Sequence, residues 1–307
     1  MEYLLLLVGF VLLIKGADVF VDGSSSIATL MKIPQFIIGL TIVSFGTSAP
    51  EAAVSISAGI SGSNEISIGN VIGSNLFNLL MVVGVCSVIA DMSVEKSIKK
   101  FDFPFSIVIT ALTVLLCAFD RKLGRLDGIV LLAAFAGYLF VTIRKAIRNK
   151  TQDEAGKKMS PLKSIIFIIV GLAAVVFGGD LVVDNAVIIA GNLGMSQTLI
   201  GLTVIAMGTS LPELVTSVVA AKKGENGLAL GNVVGSNIFN ILFVLATSVT
   251  ISPIPVQMSA IIDLCILIVV SIVMLLMIAK DSKYTRPEGI AAVLMYAAYT
   301  AYIIYRN

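Results

Sequence analysis

Two short segments place a carboxylate, two hydroxyls and a proline inside apolar stretches of the chain. The first, GTSAPE, spans 46–51, and the second, GTSLPE, spans 208–213. In each segment, Gly and Pro weaken a helix, and the Thr, Ser and Glu at i, i+1 and i+4 can face one cavity. Hydroxyl and carboxylate oxygens are ligands for hard cations such as Ca²⁺ and Na⁺. The segments therefore predict a cation site.

A second motif adds further oxygen ligands. GNVIGSNLFN begins at Gly69 and GNVVGSNIFN begins at Gly231, and each places a Ser and an Asn at i and i+4. A lone Ser or Thr usually bonds to its own helix, and the Gly-x-x-x-Gly spacing by itself indicates helix packing. A duplicated carboxylate inside an apolar run, however, indicates function. The candidate side-chain ligands are Thr47, Ser48, Glu51, Ser74, Asn78, Thr209, Ser210, Glu213, Ser236 and Asn240.

The two sets of motifs belong to one internal repeat. A shift of 162 residues aligns 38–51 with 200–213 at 9 identical positions of 14, and 69–79 with 231–241 at 8 of 11, without a gap. The same shift pairs Asp18 with Asp180 and Asp22 with Asp184. The duplicated unit is therefore longer than either motif.

The elements that must position these residues are membrane spans. The chain has 307 residues, of which 57% are hydrophobic and 13% charged, and its mean hydropathy is +1.02. Such values exclude an ordinary soluble domain, and runs of about 20 apolar residues can cross a bilayer as helices. About ten spans are predicted, at roughly 3–24, 34–61, 66–90, 101–119, 127–146, 163–188, 196–221, 227–251, 258–280 and 287–305.

Five spans in each repeat predict an inverted architecture. An odd number of spans makes the second repeat enter the membrane from the opposite side, and inverted repeats with broken helices are typical of secondary transporters. The predicted fold is an all-α integral membrane protein with a first repeat at 1–146, a cytoplasmic linker at 147–162 and a second repeat at 163–307. With both termini outside, 16 of the 21 Lys and Arg residues lie in cytoplasmic loops, as the positive-inside rule requires. We expect the cell membrane as the location.

The composition also excludes several classes of function. The chain has no His, and its three Cys residues lie in apolar runs, so His-based zinc sites, His catalysis and disulfide frameworks are not supported. No phosphate-binding loop or nucleic-acid surface is visible. We expect no enzyme activity, no cofactor and no obligatory protein partner.

Acidic residues outside the motifs have more ordinary explanations. Asp18, Asp22, Asp180 and Asp184 lie toward the ends of spans 1 and 6, where caps or interfacial salt bridges are common. We identify no duplicated partner for Asp263 in span 9, and it is left without a role.

The paired motifs resemble the alpha-repeats of the cation/calcium exchanger superfamily, and the whole chain is similar to its prokaryotic sodium/calcium exchangers. The resemblance implies that Glu51 and Glu213 ligate Ca²⁺ at a central site, with the hydroxyls shaping it and the flanking Na⁺ sites. It also implies main-chain carbonyl ligands at Ser44 and Ala206. Asn240, where potassium-dependent members have Asp, favours exchange without potassium.

The implied function is antiport of Ca²⁺ against Na⁺ by alternating access, with protons as competitors at a shared midplane site. Spans 1 and 6 are the expected moving elements, since they carry no midplane ligand. An exchanger that couples Ca²⁺ to H⁺ or to another monovalent cation is the alternative. A channel and a non-transporting scaffold are further hypotheses. A channel would conduct ions without a counter-ion, and a scaffold would lose nothing when both glutamates are changed to glutamine.

Overall fold

The structure is a computed structural model, and it describes residues 1–62, 64–118, 120–148, 159–195 and 206–306. Eight helices in this part of the chain are long and apolar enough to cross a membrane, and one bent pair forms a ninth span. The remaining predicted span, 196–221, lies partly outside the described residues. The predicted all-α membrane fold is confirmed. In chain order the helices are α1 (Glu2–Met31), α2 (Gln35–Thr47), α3 (Ala49–Ser61), α4 (Glu65–Ile89), α5 (Ile98–Ala118), α6 (Arg125–Arg148), α7 (Pro161–Asn192), α8 (Ala206–Gly208), α9 (Leu211–Lys222), α10 (Asn226–Ile251), α11 (Met258–Met277) and α12 (Arg286–Arg306).

Helices α4 and α10 form the centre of the protein. In the most apolar 18-residue window of α10, 94% of residues are buried, against 72% in α4 and at most 39% in the other long helices described. The outer helices expose their Leu, Ile and Val side chains, as a lipid-facing surface allows. Each of the two central helices carries the GNV motif of its repeat, so the candidate ligands of that motif lie in the interior.

Helix α1 is longer than the apolar run that predicted it. It continues to Met31, and the buried residues Ser25 and Ser26 in this extension have hydrogen-bond partners. Ser25 donates a hydrogen bond to Glu225 at 2.9 Å, and Ser26 accepts one from Ser164 at 2.8 Å. Since these bonds satisfy the hydroxyls, the helix does not need to end where the hydrophobic residues end.

Helices α1 and α7 pack closely along a line of glycines. A Cβ added at Gly171 would lie 2.5 Å from the Phe20 backbone nitrogen, and one at Gly16 would lie 2.8 Å from that of Val175. Only glycine permits this approach of two backbones. A small apolar cluster of Leu13, Ala17 and Val175 then joins the pair to α9. The two helices therefore form a compact unit at the side of the core.

Two short ladders connect the loops of the repeats. Strand β1 (Met92–Ser93) pairs antiparallel with β4 (Lys283–Tyr284), and β2 (Lys122–Leu123) pairs antiparallel with β3 (Ile254–Pro255). Each ladder joins one strand from the first repeat to one from the second. The sequence did not predict these strands, because two-residue segments carry no periodic pattern.

Candidate ion-binding site

The site is built around two helix breaks at equivalent positions of the repeats. Helices α2 and α3 are bent by 51° at Ser48, which has φ −84° and ψ 11°. Ser210, between α8 and α9, has nearly the same backbone angles, φ −92° and ψ 8°. A proline follows in the first turn of both α3 and α9, where its missing N–H costs nothing. The helix breaks predicted from the motifs are confirmed.

The two glutamates occupy the first turns of the helices that follow the breaks. Glu51 lies in the first turn of α3 and Glu213 in that of α9, and both are fully buried. The partial positive charge of a helix N-terminus favours a carboxylate there. The Glu51 carboxyl group is close enough to that of Glu213 for their charges to interact, so the two groups belong to one site.

Hydroxyls from the opposite repeat hold each carboxylate. Ser48 donates to Glu213 Oε1 at 2.7 Å, and Ser210 donates to Glu51 Oε1 at 2.9 Å. Two longer bonds come from the same repeat, since Ser74 donates to Glu51 Oε1 at 3.3 Å and Ser236 donates to Glu213 Oε1 at 3.5 Å. Each repeat thus supplies a serine hydroxyl that donates to the carboxylate of the other repeat.

Four asparagines lock α4 against α10 beside the glutamates. The side-chain amide of Asn75 donates to the Asn237 carbonyl at 3.1 Å, and that of Asn237 donates to the Asn75 carbonyl at 3.2 Å. The amide of Asn78 donates to Asn237 Oδ1 at 3.2 Å, and that of Asn240 donates to Asn75 Oδ1 at 3.1 Å. These bonds fix the orientation of the Asn78 and Asn240 amides.

Both of these asparagines begin a π-helical segment. The segments are Asn78–Val82 in α4 and Asn240–Leu245 in α10, and they are equivalent at the 162-residue shift. Single π-helical turns occur frequently at functional sites, because the extra residue redirects side chains and frees backbone groups. A further π-helical segment, Gly39–Val43, lies in α2 before the break between α2 and α3.

The asparagine at the second position of each GNV motif, Asn70 or Asn232, has different hydrogen-bond partners in the two repeats. Asn232 accepts a hydrogen bond from Thr47 at 3.1 Å and donates to Ser217. Asn70 donates to the Glu51 carbonyl and to Ser55, whereas the Thr209 hydroxyl has no hydrogen-bond partner. The Thr–Asn bond therefore forms in only one of the two equivalent positions.

Several buried oxygens of the site have no hydrogen-bond partner. Since an unpaired buried oxygen costs free energy, a cluster of them indicates a ligand that supplies the missing interactions. Carboxylate, amide and hydroxyl oxygens suit hard cations, and two carboxylates match the charge of one divalent ion. Among the described residues, no three His, Cys, Asp or Glu side chains lie close enough together to hold a metal ion by themselves. The unpaired oxygens are Glu51 Oε2, Glu213 Oε2, Asn78 Oδ1, Asn240 Oδ1 and Thr209 Oγ1.

The candidate side chains predicted from the motifs lie in or beside this cluster. Ser44 lies near the end of α2, where its carbonyl accepts the Ser48 N–H at 3.0 Å, and Ala206 begins α8. The asparagines 70, 75, 232 and 237 were missed by the sequence reasoning. They stand in the same duplicated motif, so their repetition was a usable signal.

Three of the acidic residues considered outside the motifs form ion pairs in the structure. Lys223 contacts Asp18 and Asp22, each at 2.7 Å, which agrees with the predicted interfacial role for this pair. Asp263, which was left without a role above, binds both terminal nitrogens of Arg306, at 2.8 and 2.9 Å.

A cavity of about 480 Å³ reaches the site from one end of the protein. Thr209, Asn70 and Gly73 line it near the carboxylates, and Glu65 and Gln257 line it where the side chains are exposed. The cavity therefore extends from Thr209, at the edge of the site, toward the exposed side chains of Glu65 and Gln257.

Comparisons with known proteins agree with this geometry. A family model described as sodium/calcium exchanger protein matches residues 1–144 and 163–305. The sodium/calcium exchanger MaX1 of Methanosarcina acetivorans is 33% identical, with 99% of each chain covered. The inner membrane protein YrbG of Escherichia coli is 35% identical over 81% of this chain and 79% of its own.

A solved structure shares the fold over nearly the whole chain. It is that of the sodium-calcium exchanger NCX_Mj soaked with Na⁺ and Ca²⁺, with a TM-score of 0.86, 34% identity, and 98% of this chain and 97% of that chain covered. The broken helices, the crossed ligands and the matched family model lead to one conclusion. The chain is a multi-pass membrane protein of the sodium/calcium exchanger family, and it is a transporter rather than an enzyme.

Proposed function

We propose that the protein exchanges Ca²⁺ for Na⁺ across the cell membrane by alternating access, with both ions using the site between Glu51 and Glu213. The observation that carries the proposal is the set of unpaired buried oxygens around two carboxylates. The M. acetivorans relative is a sodium/calcium exchanger, and the NCX_Mj exchanger was soaked with the same two ions.

Charge balance explains why the two ions exclude each other. One Ca²⁺ neutralises both carboxylates, and several Na⁺ ions using the same oxygens do so as well. Both sets together would leave excess positive charge buried in the membrane, which is costly. Binding one set therefore requires release of the other, and antiport follows.

The amide, hydroxyl and carbonyl oxygens complete the coordination. Asn78 and Asn240 are held by hydrogen bonds through their nitrogens, which leaves their oxygens free for a cation. In this proposal Thr47, Ser48, Ser74, Thr209, Ser210 and Ser236 shape the Ca²⁺ site and the flanking Na⁺ sites, together with the carbonyls of Ser44 and Ala206.

The unit of α1 and α7 is the proposed moving element. It contributes no ligand to the cluster described above, and its glycine contacts join the two helices into one body. It meets α9 through a small separate apolar cluster and through the ion pairs of Lys223. Movement of this body past the site would open the site to one side and then the other.

The orientation rests on the charge distribution, which places the linker in the cytoplasm and both termini outside. The two repeats, 1–146 and 163–307, then have opposite orientations. The cavity lined by Glu65 and Gln257 opens to the outside in this arrangement.

The test is uptake of radioactive Ca²⁺ into vesicles that contain the purified protein. We expect uptake when the vesicles are loaded with Na⁺ and diluted into Na⁺-free medium, and none when only a proton gradient is imposed. Uptake driven by protons in the absence of Na⁺ would favour a proton/calcium exchanger, and uptake without any counter-ion would indicate a channel.

A second measurement tests the shared site. Na⁺ should raise the apparent dissociation constant of Ca²⁺ competitively, and protons should do the same at acidic pH, because all three neutralise the same carboxylates. If saturating Na⁺ leaves the Ca²⁺ affinity unchanged, the ions do not share the site.

A further inference from the structure

A second duplicated group of residues lies outside the ligand motifs. A shift of 161 residues, one less than the shift of the motifs, pairs Asp102 with Asp263, Tyr138 with Tyr299 and Lys145 with Arg306. Each repeat therefore carries an acid, a tyrosine and a basic residue in equivalent helices, α5 and α6 in the first repeat and α11 and α12 in the second. Because the repeats are inverted, the two groups lie at opposite ends of the protein.

The two groups have different contacts. In the second repeat, Arg306 and Asp263 form a bidentate ion pair with distances of 2.8 and 2.9 Å. In the first repeat, Asp102 accepts hydrogen bonds from Tyr138 and Ser97, both at 3.2 Å. There the Lys145 ammonium lies 3.1 Å from the centre of the Phe101 ring.

The ion pair of the second repeat belongs to the wall of the cavity that reaches the cation site. Asp263, Tyr299 and Arg306 line the cavity together with Glu65 and Gln257, and Gln257 donates to Glu65 at 2.8 Å. The side chains of Arg306 and Asp263 retain 25% and 11% of their exposure. A cation that enters through this cavity therefore passes the pair before it reaches Thr209.

Arg306 is the only basic residue among the described residues that line the cavity, and Glu65 and Asp263 are the acidic ones. With Arg306 present, the lining carries a net charge of −1, and without it the charge would be −2. A unit charge about 10 Å away in water changes the local concentration of a monovalent cation about twofold and of a divalent cation about fourfold. The factor by which the charge of the lining changes the local Ca²⁺ concentration is therefore the square of the factor for Na⁺.

We propose that Arg306 sets the balance between Ca²⁺ and Na⁺ at this entrance, and that Asp263 positions it there. The guanidinium lowers the local concentration of Ca²⁺ more than that of Na⁺ and so favours Na⁺ entry from this side. The bidentate contact with Asp263 holds the positive charge in the cavity wall. This inference rests on the proposed Ca²⁺/Na⁺ exchange.

The experiment compares Arg306→Gln with Asp263→Asn in sealed membrane vesicles of both orientations. At low ionic strength, Arg306→Gln should lower the apparent dissociation constant for Ca²⁺ about fourfold and that for Na⁺ about twofold. Asp263→Asn should shift both constants in the opposite direction, with the larger shift again for Ca²⁺. At an ionic strength near 1 M the differences should largely disappear because salt screens the charges.

Three further variants separate charge from structure. Arg306→Lys keeps the charge and should have the dissociation constants of the wild type. The double variant Arg306→Gln with Asp263→Asn keeps the net charge of the lining, so its dissociation constants should also be close to those of the wild type. Lys145→Gln makes the same change of charge at the opposite end of the protein, and it should leave both constants at the Arg306 entrance unchanged. The shifts of Arg306→Gln should appear only in the vesicle orientation that exposes the end of α12 to the added ions.

The outcomes that overturn the inference differ from those that overturn the exchange. Equal shifts for Ca²⁺ and Na⁺, shifts in the same direction for Arg306→Gln and Asp263→Asn, or an Arg306→Lys variant that behaves like Arg306→Gln would each refute the role of charge. Wild-type vesicles that show no Na⁺-dependent Ca²⁺ uptake would refute the proposed exchange instead.

Discussion

The centre of the protein and its two ends differ in how well they preserve the symmetry of the repeat. At the centre, hydrogen bonds occur in matched pairs, as between Ser48 and Glu213 and between Ser210 and Glu51. The equivalence is already incomplete beside the glutamates, where Thr47 bonds to Asn232 while Thr209 has no hydrogen-bond partner among the described residues. At the ends it is lost, since Arg306 pairs with Asp263 in one repeat and Tyr138 donates to Asp102 in the other. In the proposed exchange, the matched oxygens at the centre would serve ions from either side of the membrane.

The largest expected effect comes from the two glutamates. Glu51→Gln and Glu213→Gln should each reduce Na⁺-dependent Ca²⁺ uptake to background, because each removes one of the two carboxylates at the site. A symmetric centre predicts the same loss for both. Glu2→Gln, at the exposed start of α1, is the matched control and should transport like the wild type, and a glutamine variant with normal exchange would remove Glu51 and Glu213 from the mechanism.

A smaller and again equal effect is expected from the crossed serines. Ser48→Ala and Ser210→Ala should each weaken Ca²⁺ binding about tenfold, since a hydrogen bond to a charged group contributes roughly 1.5–3 kcal/mol. Isothermal titration of the purified variants measures this loss. If the Ca²⁺ affinities of the two variants differ by more than a few fold, the two serines do not make the equal contributions that the matched hydrogen bonds predict.

Asn240→Asp tests the asparagine frame beside the carboxylates. The Asn240 amide donates to Asn75 Oδ1, and an ionised aspartate has no proton to donate there. We therefore expect exchange that is a few fold more sensitive to protons and altered in ion preference. Transport measured from pH 6 to pH 8 gives the result, and a variant with wild-type affinity, selectivity and pH response would place Asn240 away from the ions.

The smallest effect should reveal the asymmetry between the two equivalent threonines of the site. Thr47→Val removes the bond to Asn232 and should lower the stability by about 1 kcal/mol, the usual contribution of one hydrogen bond. Thr209→Val removes no hydrogen bond to a described residue and should leave thermal unfolding almost unchanged, although we expect it to weaken ion binding by removing an oxygen. Equal losses of stability in the two variants would contradict the difference between the two threonines.

Much of this architecture followed from the sequence because its signals are local. The nine spans in the described residues were predicted from the lengths of apolar runs, and the helix break at Ser48 was predicted from Gly46 and Pro50. The inverted repeat followed from the duplicated motifs and the odd number of spans. These features depend on neighbouring residues and on the thickness of the bilayer.

The contacts between distant residues could not be predicted in the same way. Spacing along one helix places Ser48 near Glu51, but it does not show that Ser48 donates to Glu213 of the other repeat. The asparagine frame likewise depends on how α4 crosses α10. The group containing Asp263 was missed because its shift is 161 residues and because arginine replaces lysine.

The crossed bonding also has a consequence for biogenesis. The serine that holds Glu51 is 159 residues further along the chain, and β1 finds its partner β4 only near residue 283. During synthesis the first repeat must therefore enter the bilayer with its acidic side chain lacking that serine, and with its loop strand unpaired. Contacts of such long sequence separation form late in folding, so the first five spans reach their final arrangement only after α9 and the β4 loop have been made.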